Sequence, residues 1–451
     1  MSRLAALTAL AGAGVLVGLV ALAGVAAPGA APTAYTGAAT DWYGGGIKMD
    51  PGDWPQWRGP TRCGVSTETN LLDKWPEGGP PLAWKMTGCG NGLAAPITLK
   101  GRLYIPGGFE QTACLSCYDL ATQKQIWRCK IAADRGGVGG SPAIDGDALF
   151  GQTHEGDTYC VGLDGQLRWV KSCPRDYGGG LMNPAYMFAQ TPLIDGNQVI
   201  FNPGGKDACV VAVDRKTGAT IWKIPASQTG GPKGSDRAAY SSPVMTEGGG
   251  LRHYVLMVGH GLIGVSPKDG KVLWNYNLAG GEANIATPIV RGDYVYDCNS
   301  YGTGTVLLKL SSDGAGGVKA EKVYHLSADV CQNLEGQSVL VGDYTFTGMG
   351  GYSGVPICVE FPTGKVMWKG QQAGSGVAGL TAADGKLIFR AESGQVSLIE
   401  ASPKGFNLIS VFKPEDGSKG NEPHWANPVV SHGLLLIRQH DVLVAYDLRK
   451  H

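Results

Sequence analysis

Only a few short stretches of this chain hold residue types that carry chemistry. His154-Glu155-Gly156-Asp157 and His440-Asp441 set an imidazole beside carboxylates, a combination that serves acid–base work or metal binding. Neither has zinc-site spacing, and both read more simply as solvated turn residues. Cys114 and Cys117 form a C-x-x-C, but Tyr118 follows where covalent haem attachment needs His. Lys206-Asp207 follows two glycines without P-loop spacing or a following helix, and Asp313 to Gly317 reads as a hairpin tip, not a calcium loop. A serine nucleophile elbow, a paired-carboxylate motif and an HExxH are all missing from the sequence. No catalytic residue and no metal ligand is therefore assigned.

The elements that would position these groups are repeats. Gln123 to Trp127, Gly165 to Trp169, Gly218 to Trp222, Gly270 to Trp274 and Gly364 to Trp368 share one turn-and-tryptophan phrase. Tyr324 and Phe412 hold the tryptophan position in two worn copies, and Trp84 sits in a stray copy near the start. The eight aromatics recur at roughly 42 to 53 residues, a period that belongs to propellers and other repeat arrays. Within a period, a small residue plus Pro leads to a Gly-rich turn, short apolar strands follow, and the tryptophan strand completes the unit. Four short strands and no helix-length amphipathic segment predict an all-β, eight-bladed β-propeller of four-stranded antiparallel blades.

The blades fall at about 93–131, 140–172, 189–224, 240–278, 286–326, 334–370, 377–413 and 425–447. The last lacks its tryptophan strand, so the strand around Trp84 (82–86) is expected to complete it and close the ring, which covers two open edges. Each repeated tryptophan is read as packing between neighbouring blades; burying an indole is worth roughly 4 to 6 kcal/mol at most. Cys209 repeats the position of Cys114, and Cys358 that of Cys117, which marks them as small buried side chains.

Strand order fixes two faces. Turns between first and second and between third and fourth strands share one face and are short. Turns between second and third strands and the blade-to-blade connections share the other and are long. The unusual polar groups fall on the long-loop face: Arg135, His154, Glu155, Asp157, Lys206, Asp207, Arg237, His260, Asn284, Tyr301, Tyr352, Glu392, His424, Trp425, His440 and Asp441. That face is the expected binding surface.

Composition bounds the partners. Lys plus Arg equals Asp plus Glu at 38 each, with no run of like charge, which argues against nucleic acid. Residues 1–27 carry one Arg and then an uncharged run, read as an export signal, with an uncleaved membrane anchor as the alternative. Residues 28–52 read as a flexible linker, and 53–81 as an irregular Trp/Pro leader expected to pack its indoles but to sit outside the ring of 82–451. The eleven cysteines leave one thiol over even in an oxidising compartment.

The phrase D-x-x-T-G-x-x-x-W, here Asp214 to Trp222, resembles the repeats of the pyrroloquinoline-quinone-like (PQQ-like) propeller family over about 82–447. The resemblance is to its non-catalytic branch, similar to the outer-membrane assembly factor BamB, and to exported propellers with a DWPQWRG-type leader, here Asp53 to Gly59. It implies an exported, periplasmic or extracytoplasmic monomeric propeller that is no enzyme and serves as a binding or scaffold module for an envelope protein or polymer. The quinoprotein dehydrogenases of the same superfamily imply the alternative, a PQQ- or metal-dependent oxidoreductase, but their adjacent-cysteine disulfide and cofactor segments are missing here, so PQQ with Ca²⁺ is not supported by motif. A carbohydrate-binding or carbohydrate-modifying propeller is the third reading.

Overall fold

Eight four-stranded antiparallel sheets account for the strands of the computed structural model, which describes residues 47–135, 139–334, 337–418 and 422–450. Blade 1 shows the plan: β2 (Ile97–Leu99), β3 (Arg102–Phe109), β4 (Thr112–Asp119) and β5 (Gln125–Ala133) pair in chain order, from the channel outward. The three inner strands are buried on both faces between neighbouring blades, which is why they read as continuous apolar runs. The outer strand packs on one face only and alternates.

The ring closes as the repeat predicts. β1 (Leu82–Met86) pairs antiparallel with Val442–Asp447, setting Lys85 opposite Val444 and Met86 opposite Leu443, with an irregularity between Leu82 and Trp84. The expected export segment 1–27 and most of the linker 28–52 lie outside the described residues. Ile47 and Met49 pack against blades 1 and 2, so the packed leader extends to the N-terminal side of Asp53. Among the described residues no helix is long and apolar enough to cross a membrane.

Each residue of the repeat phrase has a physical task. Asp214 accepts hydrogen bonds from the Thr217 N–H and hydroxyl at 2.8 Å each, which fixes the turn; Asp119 and Thr122 repeat this in blade 1. Gly218 then turns with φ near 70° and presents its Cα to the preceding blade's Trp169. A Cβ there would fall 2.9 Å from the indole, and the same approach pairs Gly165 with Trp127, Gly270 with Trp222 and Gly364 with Tyr324. The ring N–H or O–H of the aromatic finally donates to the next blade: Trp127 to Leu163 O, Trp169 to Arg215 O, Tyr324 to Phe361 O and Trp368 to Ser402 O. The phrase is a blade-to-blade clasp, and Trp84, Trp127, Trp169, Trp222, Trp274, Tyr324, Trp368 and Phe412 all sit on outer strands.

The leader does not sit outside the ring. It crosses the channel mouth on the short-turn side. Trp54 bridges to Thr98 of blade 1, Pro55 O accepts from Ile144 N of blade 2, and Gly64 and Ser66 exchange hydrogen bonds with Ala382 of blade 7. Between these points Arg62 reaches the carbonyls of Thr191 (3.3 Å), Pro192 (2.5 Å) and Pro243 (3.0 Å), and Arg58 reaches that of Ser338. Inner strands leave carbonyls unpaired along the channel, and a planar guanidinium has the donors to collect several at once. Burial lowers the Arg58 pKa to about 10, which leaves it charged.

Candidate functional site

The leader occupies the short-turn mouth, and the expected binding residues lie on the turns and connections at the opposite side. In blade 2, His154 and Glu155 stand in the turn between Ala148–Gln152 and Asp157–Gly162, and the Arg135 guanidinium binds Glu155 at 3.0 Å. Asp157 is 6% exposed, takes Arg175 at 3.4 Å, and has its carboxyl pushed up by burial. Lys206 and Asp207 form an exposed tip in blade 3, and Arg237 is exposed beside Gly180. His260 lies between Asp236 (2.8 Å) and Lys233 O (2.8 Å).

Around the ring, Tyr301 meets Tyr186 hydroxyl to hydroxyl at 2.9 Å, and Tyr352 is 69% exposed. Trp425, 41% exposed, donates its indole N–H to Glu392 at 2.8 Å. His440 faces Asn91 at 2.7 Å, and Asp441 caps the backbone N–H groups of Gly88 and Gly90.

Besides the buried Asp157, two further expected face residues are scaffolding. Asn284 is fully buried, donating to Val258 O and Gly259 O and accepting from Gly280 N, because three loop segments converge on its amide. His424 is 3% exposed and bonds Glu392 O, with its pKa lowered by burial and then by the Arg390 charge. Lys206, His260 and His440 stand on blades 3, 4 and 8, and His260 and His440 bond different partners, Asp236 and Asn91.

Sequence reading missed a buried charged knot beneath blades 7 and 8. Arg390 and Arg438 occupy the fifth position of matching strands, Lys386–Ala391 and Leu434–Gln439. Arg390 pairs with Asp416 at 3.0 Å and donates to Ala426 O and Arg438 O; Arg438 donates to Ala94 O and Gly90 O. The signal available was an arginine directly after the apolar runs 387–389 and 434–437. Its partners, 26 to 348 residues away, carried no local mark.

Among the described residues no three His, Cys, Asp or Glu side chains gather to hold a metal ion. A cleft beside Arg62, lined by Ile144, Leu193, Val244 and Ile289, offers about 40 Å³, against roughly 300 to 1,000 Å³ for a small-molecule site.

This geometry defines a class: a closed eight-bladed propeller, plugged at one mouth, that presents loops at the other. The family described as outer membrane protein assembly factor BamB matches residues 111–325. That match covers just under half of the chain. Its fold is similar to that of BamB from Moraxella catarrhalis (TM-score 0.57, 16% identity, 82% of this chain and 99% of that one). It is also similar to quinohemoprotein alcohol dehydrogenase from Comamonas testosteroni (TM-score 0.60, 11% identity, 90% and 82%). A curated relative, tetrathionate hydrolase of Acidianus ambivalens, is 33% identical over 118 residues, 25% of this chain and 20% of the relative. The match thus spans about a fifth of that relative's length.

Proposed function

We propose that the chain is an exported binding or scaffold module that engages an envelope protein or polymer through its long-loop face. The observation that carries this reading is the exposure of Tyr352 (69%) and Trp425 (41%) on the side opposite the leader. Exposed Tyr, Trp and Arg are the side chains that anchor protein interfaces, and Arg135 adds a third on the same face. The likeness to BamB supports a binding role. The apolar N-terminal run supports export.

A photo-crosslinking residue placed at 352 or 425, with 216 and 268 on the short-turn face as controls, tests the assignment in envelope extracts. A discrete adduct from 352 and 425, lost when Trp425→Ala is added to the Tyr352 probe, is expected. Adducts from 216 and 268 only would sink it, as would dehydrogenase turnover of the purified protein with PQQ and Ca²⁺. Hits on a glycan array competing with the adduct would assign the face to carbohydrate.

A further inference from the structure

All eleven cysteines are buried and unbridged, yet Cys298 and Cys331 bring their sulfurs to 3.8 Å. Cys298 lies on the second strand of blade 5 (Tyr294–Asn299), and Cys331 in the connection from blade 5 to blade 6. We infer that this pair is a disulfide site, closed by thiol–disulfide exchange with a disulfide-bearing oxidant, and that it locks the connection to which the turns carrying Tyr301 and Tyr352 are hydrogen-bonded.

The sulfurs need approach by only about 1.8 Å to reach bonding distance, a side-chain rotation's worth. The surrounding contacts already hold the two backbones together. Thr305 donates its hydroxyl to Cys331 O at 2.9 Å, and Asn333 N reaches Asn299 O at 3.4 Å. In the folded chain the two thiols are hydrogen-bonded to each other. Before the loop closes, the thiolate of Cys331 attacks the oxidant's S–S bond and expels one thiolate. Cys298, giving up its proton, then attacks the Cys331 sulfur of the mixed disulfide and expels the second. Two thiols are oxidised and one disulfide of the oxidant is reduced to two thiols. Both sulfurs are at most 2% exposed in the folded chain, so exchange precedes closure of the loop over them.

The consequence falls on the loop face. Gln332, next to Cys331, accepts from Gly302 N through its side chain at 3.0 Å and from Gly350 N through its carbonyl at 2.9 Å. Gly302 follows Tyr301, and Gly350 opens the turn that carries Tyr352. A bridge at Cys331 therefore fixes both aromatic positions. This deepens the loop-face reading and rests on it only for the role of Tyr352.

The test is a peptide map of the full chain folded in an oxidising compartment, denatured and alkylated without reductant. We expect nine of the eleven thiols to alkylate, one cross-linked peptide joining 298 to 331, and a mass about 2 Da lower for the two hydrogens lost. Reductant should lower the melting temperature by roughly 3 to 6 °C and leave Cys331→Ser unaffected. Eleven alkylated thiols, or a bridge between other cysteines, would overturn the proposal. The map is read without any partner, so its failure is distinct from failure of the binding reading.

Discussion

Gly79 lies against the ring of Phe412, 333 positions further along the chain, so closely that a Cβ on Gly79 would sit 2.4 Å from the Phe412 ring. It is the contact Gly218 makes with Trp169, made by a residue outside every complete repeat. The N-terminal strand does more than fill an edge: it restores the clasp between blades 7 and 8, with Trp75 edge-on to the same ring at 5.2 Å.

Gly79→Ala should therefore destabilise by about 2 to 4 kcal/mol, combining positive-φ strain with the clash. Gly78→Ala shares the positive φ but meets nothing within 4 Å, and isolates the backbone share. The difference between the two in guanidinium unfolding measures the clasp. Adding Phe412→Ala should abolish that difference.

Arg62→Lys should cost roughly 2 to 5 kcal/mol although charge is kept, because an ammonium cannot reach the carbonyls of Thr191, Pro192 and Pro243 together. Thermal melts compare it with Arg62→Met. If the fork geometry matters, both variants melt lower than the parent.

Blade 4 breaks the clasp rule because blade 5 has a long third-to-fourth-strand hairpin, with its tip at Asp313 to Gly317. Trp274 donates instead to His253 in its own blade at 3.0 Å, the place where Gln198 serves Trp222 at 2.9 Å. His253→Gln should be near neutral. His253→Leu leaves the indole N–H buried without an acceptor and should cost about 1 to 3 kcal/mol by urea unfolding.

Two histidines give opposite pH limbs. Asp53 bonds His432 at 3.0 Å and raises its pKa, so its contribution is full below the unfolded value of about 6.5 and is lost as pH rises through the folded value. Burial lowers His424, so its cost is absent above about 6.5 and grows as pH falls toward the folded value. Stability against pH should peak near 6.5. His432→Gln flattens the alkaline limb and His424→Gln the acid one; unchanged slopes would refute the assignments.

The architecture was legible because the clasp recurs: Trp127, Trp169, Trp222 and Trp368 mark their own strands, and the unpaired Trp84 announced closure. The leader was not legible. Arg58 and Arg62 look like solvent-exposed leader residues, and only the ring reveals that their acceptors are main-chain carbonyls 129 to 280 residues away. Asn284 and His424 misled for the same reason, since polar loop residues that tie segments together have the same composition as those that face water. Trp425 and Tyr352 fell on the expected face because strand order alone decides which turns share it.

The plugged mouth has a consequence for the order of assembly. His432 meets Asp53 across 379 residues, and Ser431 bonds Gly52 across as many. No leader contact with blade 8 can form until that blade has emerged, so the leader is among the last segments to find its place. A chain with such remote pairings folds slowly and exposes strand edges meanwhile. The molecule is fastened by its beginning only after its end has been made.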